Sequence, residues 1–256
     1  MTYNSKLHFL IDALLHERIN DKDMEIPEST REQKQLLRSL MNVRPPKPLA
    51  TDILQIQDEY LTEEVKAAGI TDIDNLTPVQ GQLYLWKGDI TTLRVDAIVN
   101  AANSQMLGCF APCHGCIDNA IHTFAGIQLR LTCADIMQKQ GKSEETGKAK
   151  ITPAFNLPSK YIIHTVGPIV GSSLKKQDCR LLSSCYRSCL ELAEQNKIKS
   201  IAFCCISTGE FRFPNEKAAE IAIDTVAEFI ENTRSEIKVI FNVFKEQDHE
   251  IYHRIL

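Results

Sequence analysis

Between Ser5 and Arg18 the apolar residues Leu7, Leu10, Ile11, Leu14 and Leu15 recur at the intervals that line one face of a helix. Helical patterns also occupy Ser29 to Met41 and Ala50 to Ala68, separated by the breaker-rich stretches MEIPEST and RPPKP. From Gln82 the pattern changes. QLYLWKGDI, DAIVNAAN, KYIIHTV, KSIAFCCIS and IKVIFNVF each carry the β-branched and aromatic residues of a largely buried strand. Helical stretches alternate with them. Ile117 to Gln140 is one, with a break near Gly126, and Cys179 to Lys197 is the next, with Leu182, Cys185, Cys189 and Leu192 on one side. Pro214 to Glu231 follows; Pro214 suits a first helical turn, and Ala218, Ile221, Ala222, Val226 and Phe229 are spaced for burial. The alternation predicts an α/β/α domain over residues 81–256, preceded by a helical extension over residues 1–80.

Composition narrows the class. Of 256 residues 43% are apolar and 24% charged, as in globular chains, and the net charge of −4 argues against duplex nucleic acid or an anionic membrane as the main partner. No apolar run approaches the about 20 residues of a bilayer span. The first helix is interrupted by Asp12, His16 and Glu17 and lacks a small-residue cleavage site, so the chain is expected to be cytoplasmic. Its nine cysteines are then expected to be reduced, and an odd count suits no complete disulfide framework.

Ligands of α/β sheets gather at the carboxyl ends of the strands, which directs attention to GDIT at 88–91, NAANSQMLGC at 100–109 and STGEFRFP at 207–214. Taken singly, these residues have plain readings. Asp89 caps a turn, and Asn100 and Asn103 tie loop backbone together. The third loop is more telling, because a glycine-containing turn before a helix offers N–H donors to phosphate oxygens. His164 falls in a strand-like run and His122 in a helix, so both read as buried histidines, with His122 a reserve metal ligand. Cys133, Cys179, Cys185, Cys189, Cys204 and Cys205 read as small core hydrophobes. KSEETGKAK at 142–150 reads as a solvated loop, and no basic stripe with interleaved aromatics suggests nucleic acid.

The stretch GCFAPCHGC at 108–116 is the least ordinary. Two thiolates and a neutral imidazole balance the charge of Zn2+ and leave a fourth tetrahedral position open, as in catalytic sites. A fourth ligand from Cys113 or His122 would instead close the site into a structural one. The same stretch contains Cys113-His114-Gly115-Cys116, the C-x-x-C form of a redox pair, whose pKa a helix N-terminus lowers. Spacing alone leaves Cys109 and Cys113 as equivalent candidate ligands.

GDIT, NAAN, IDNAIHTFAG, NLPSKYIIHTVGP and ISTGEFRFP occur in the order and approximate spacing of the macrodomain family, and the resemblance spans about residues 82–245. It implies a three-layer fold with a central mixed sheet and binding of ADP-ribose. It implies that Asp89 accepts the adenine amino group beside the backbone of Ile90, and that Asn103 contacts the distal ribose. Ser207, Thr208, Gly209, Glu210 and Phe211 would wrap the diphosphate, with Phe211 over the distal ribose. GDIT and NAAN have no role under the redox reading.

Where many members have a glycine run, this chain has cysteines, and the cluster resembles the zinc-containing branch through a C-x4-H-x-C motif at Cys109, His114 and Cys116. Cys113 is then spare. Asp118 aligns with an acidic residue of hydrolytic members and is expected to act as a base or to fix a water, with helix capping as its plain alternative. The expected function is zinc-dependent removal of mono-ADP-ribose from modified protein side chains, the partner being that ADP-ribose moiety. The rivals are a non-catalytic ADP-ribose reader with a structural zinc and a hydrolase of O-acyl-ADP-ribose.

Overall fold

The computed structural model describes residues 1–17 and 24–256, so Arg18, the last residue of the first expected helix, lies outside it. Helices α1 (Tyr3–His16), α2 (Thr30–Val43) and α3 (Thr51–Ala68) come first. Their apolar faces meet in a core of their own, built on Leu7, Leu10, Ile11, Leu37, Leu40 and Leu61. Polar bonds tie this bundle to the rest: Gln57 Oε1 accepts from the Ile127 N–H at 3.0 Å, and Asp58 accepts from Gln128 and Asn156.

The remaining strands are β1 (Thr71–Asp72), β2 (Leu83–Lys87), β3 (Leu93–Arg94), β4 (Ala97–Ala102), β5 (Ala149–Pro153), β6 (Tyr161–Val166), β7 (Ser200–Phe203) and β8 (Lys238–Val243). The helices among them are α4 (Ile117–Ala125), α5 (Ile127–Gln140), α6 (Lys176–Gln195), α7 (Asn215–Thr233) and α8 (Glu246–Ile255). β1 and β3 form a small parallel pair, while the main sheet runs β2-β8-β7-β4-β6-β5. Its pairings are parallel except β5 with β6, which makes the sheet mixed. Consecutive residues are buried along Ala97–Asn100, Ser200–Phe203 and Val239–Val243. Successive side chains face opposite sides of a sheet, so both faces are covered and the domain has three layers.

The break expected near Gly126 is there, between α4 and α5. Gly126 has φ +100°, so the chain direction requires glycine, and a Cβ on it would lie 2.8 Å from Gln57 Nε2 of α3. Three expectations needed correction. Pro214 occupies the cap position of α7 rather than its first turn. The run at 142–150 is not wholly solvated: Glu144 is buried and pairs with Lys150 at 2.8 Å, and the run's end begins edge strand β5. Helix α8, ten residues that bury Asp248, Ile251 and Tyr252, was not anticipated.

The parallel strands β2, β8, β7, β4 and β6 all point their carboxyl ends to one edge. Every loop singled out in the sequence leaves from that edge.

Candidate functional site

The edge is wide. β2 and β4 are separated by three strand intervals, about 14 Å, so their loops reach the two ends of an extended ligand. At the β2 end the Asp89 carboxylate accepts from the Thr91 N–H (2.9 Å) and hydroxyl (2.7 Å) through Oδ1, which is the capping role. Oδ2 has no partner among the described residues, and the side chain is exposed. Ile90 beside it is buried. Sequence reasoning missed Phe244, which it counted as strand. It follows β8, where the Gly88 N–H donates to the Val243 carbonyl, and its ring is 76% exposed on the same edge as Asp89.

The loop after β7 is tightly wound. Ser207 and Arg212 have φ of +66° and +57°, and the N–H groups of Thr208, Arg212 and Phe213 are used within the loop. Among the described residues nothing accepts from the N–H of Ser207, Gly209, Glu210 or Phe211, and the buried Ser207 hydroxyl has no partner. Gly167 allows the close approach of the β6 loop, since a Cβ there would fall 2.0 Å from Ser207 Oγ. Such a concave set of unpaired donors ahead of α7 suits phosphate oxygens.

The third loop, after β4, leads through a cluster of cysteines and a histidine into α4, where a carboxylate is buried. Asp118 lies in the first turn of α4, but the cap is Cys116, whose Sγ accepts from the Asn119 N–H at 3.4 Å. Asp118 therefore does not cap. Its Oδ1 accepts from Asn100 Nδ2 at 2.8 Å and its Oδ2 from Asn103 Nδ2 at 3.2 Å. Burial pushes its pKa up to about 6 against these favourable bonds. Asn103 also donates to the Gly108 carbonyl and accepts from the Gln105 N–H, so its tying role is present alongside its place at the site. Gly108 has φ +78°, and a Cβ there would overlap the His122 ring at 2.6 Å.

Cys109, His114 and Cys116 bring one donor atom each to within 4.8 Å of one another, all three partly exposed. Among the described residues the buried His114 Nδ1 has no hydrogen-bond partner, while its Nε2 lies 3.6 Å from Oε1 of Glu210 on the loop after β7. Burial pushes the Cys116 thiol up to about 11, with Cys109 and Asp118 adding to it; a bound dication would offset that charge. Two sulfurs and an imidazole nitrogen within that distance fit zinc. Cys113 is exposed and donates its thiol to the Gln35 carbonyl at 3.3 Å, away from the group.

His122 is not in this group. It forms a second set with Cys133 and His164, also within 4.8 Å but fully buried. His164 is satisfied, as expected: Nδ1 meets Asn100 Nδ2 at 3.1 Å and Nε2 meets Thr152 Oγ1 at 2.9 Å. Of the cysteines read as core, Cys133, Cys185, Cys189 and Cys204 are buried, and Cys179 and Cys205 are half-buried against it. Among the described residues no helix is long and apolar enough to cross a membrane.

Residues 99–222 match the model of the Macro domain family. A protein-ADP-ribose hydrolase of Treponema medium is 57% identical over 260 residues, covering 100% of both chains. One of Staphylococcus aureus (strain MSSA476) is 48% identical, covering 97% of this chain and 94% of its own. The Trypanosoma brucei macrodomain in complex with ADP-ribose superposes with a TM-score of 0.66 at 29% identity, covering 90% of this chain and 96% of that one. An Oceanobacillus iheyensis macrodomain with MES bound gives 0.62 at 39% identity, covering 67% and 88%.

Proposed function

The chain belongs to the Macro domain family, and from that premise we propose that it is a protein-ADP-ribose hydrolase whose zinc is held by Cys109, His114 and Cys116. The observation that carries the reading is one short segment. Residues 109–118 combine three partly exposed soft donors within 4.8 Å with a buried carboxylate whose pKa is about 6, all at the carboxyl end of β4. Alignment of the hydrolase relatives along the whole chain supports it.

In this reading the adenine is held at the β2 end, where Asp89 Oδ2 accepts from its amino group beside the Ile90 backbone and Phe244 offers a face for stacking. The free N–H groups of Ser207, Gly209, Glu210 and Phe211, with Thr208 between them, receive the diphosphate. This remote binding fixes the distal ribose against the β4 loop, under Phe211 and beside Asn103, which orients the sugar. Cys109, His114 and Cys116 would hold zinc, which would supply Lewis-acid chemistry at that end of the ligand. Asp118 serves as the proton acceptor, and its two asparagine partners fix the direction of its oxygens. The substrate is mono-ADP-ribose on a protein side chain. A closed structural site would need a fourth protein donor, and among the described residues none joins the group.

The test is release of free ADP-ribose from a mono-ADP-ribosylated protein, with and without a chelator. The reading expects release that the chelator abolishes and added zinc restores. Binding without release would identify a reader, release indifferent to the chelator would remove the metal from the mechanism, and release from O-acyl-ADP-ribose alone would reassign the substrate.

A further inference from the structure

The segment carrying the three donors does little to hold itself in place. Within residues 109–116 the backbone makes a single internal hydrogen bond, from the His114 N–H to the Ala111 carbonyl at 3.2 Å. Cys113, midway through, sits in the left-handed region at φ +53°, which non-glycine residues seldom adopt without outside support.

The support comes largely from α2, some 70 residues earlier in the chain. Arg38 Nη2 donates to the His114 carbonyl at 3.1 Å. The same guanidinium grips Asn119 Oδ1 at 3.1 and 2.7 Å, and Asn119 Nδ2 in turn donates to the Ala111 carbonyl at 3.0 Å. Asn42, which is 1% exposed, accepts from the strained Cys113 N–H at 2.9 Å and donates to Thr123 at 3.0 Å. The Gln35 carbonyl takes the Cys113 thiol. From the far side Arg130 joins the loop to the end of α2, donating to the carbonyls of Leu107, Met41, Asn42 and Arg44 while its guanidinium lies 4.3 Å from the Phe110 ring centre.

We propose that α2 is part of the metal site: Arg38 and Asn42 are positioning residues that set the spacing of Cys109, His114 and Cys116, so the N-terminal extension determines metal affinity without supplying a ligand. This rests on the zinc reading above. It assigns the extension a role distinct from docking the modified protein. Outer partners of metal ligands characteristically change affinity by about 10- to 100-fold when removed, and Arg38 is accessible enough to be replaced without opening either core.

The experiment compares the full chain with Arg38→Ala and Lys34→Ala. Lys34 lies on the same helix but pairs with Glu64 at 2.9 Å and touches no part of the loop, so it controls for general loosening of the extension. Zinc affinity is measured by competition with a chromophoric chelator, and backbone hydrogen exchange at Cys113 and His114 is measured on metal-free protein. R38A is expected to bind zinc about 10- to 100-fold more weakly and to exchange faster at those two amides, with α6 and α7 unchanged. K34A is expected to match the wild type in both. An R38A protein with wild-type affinity and exchange overturns the proposal, as does a K34A protein weakened equally. If the wild type binds no zinc, the metal reading fails and the exchange rates alone decide whether α2 holds the loop.

Discussion

Among the described residues two clusters of histidine and cysteine each bring their donor atoms within 4.8 Å, and their surroundings separate them. His122, Cys133 and His164 lie wholly inside, with burial holding both histidines neutral and pushing the Cys133 thiol up to about 12. His164 has spent both ring nitrogens on Asn100 and Thr152. His122, against Gly108, has no hydrogen-bond partner among the described residues, its Nε2 lying 3.6 Å from Asp118 Oδ1. Cys109, His114 and Cys116 instead sit on a strand-end loop and are all partly exposed. Donor spacing alone does not make a metal site; nitrogens without hydrogen-bond partners occur in both clusters, and access is what separates them.

The contrast breaks most easily at the ligands. Cys109→Ala and His114→Ala are expected to weaken zinc binding at least about 100-fold and to abolish hydrolysis, whereas Cys133→Ala and His164→Asn leave metal content at the wild-type level; elemental analysis reads this directly. Metal lost equally from both sets would erase the distinction. Asp118→Ala sharpens it next. Loss of a proton acceptor costs about 10²- to 10⁴-fold in kcat, with ADP-ribose affinity by calorimetry nearly unchanged, and a variant that turns over normally would strip Asp118 of its role.

Removing the exposed ring in Phe244→Ala should weaken ADP-ribose binding by about 1–3 kcal/mol with zinc content untouched. The smallest effect concerns the sealed cluster and pH. A histidine whose folded pKa is depressed from 6.5 to about 3, as at His164, binds its proton more weakly folded than unfolded. Its contribution to stability is whole above 6.5 and is lost as pH falls toward 3, at up to about 1.4 kcal/mol per pH unit. Asp118, raised to about 6, acts in the opposite sense over the same range, so the difference is what counts: from pH 7 to 5 the wild type should lose more stability to denaturant than His164→Asn, and an equal loss would place the titration elsewhere.

Much of this was readable in the sequence, because its signals are local. The strand runs, the break at Gly126 and the order of GDIT, NAAN and ISTGEFRFP depend on neighbouring residues, and they led to the fold and to the candidate loops. What escaped is what the fold brings together from afar or leaves half-exposed. β5 merges with a charge run because only one of its edges is paired. Phe244 looks like one more strand residue until the strand ends before it. Asp118 could not be told from a helix cap until Cys116 was seen to occupy that position. The grip of Arg38 and Asn42 on the cysteine loop leaves no mark in either segment alone.

The central claim is that the metal held by Cys109, His114 and Cys116 presents its open position to the sugar end of the ligand. Cobalt substituted for zinc makes that position visible through its absorption bands. Titration with ADP-ribose should shift the bands, while ADP, which lacks the distal ribose, should leave them as they were. Identical spectra with and without saturating ADP-ribose would contradict the account.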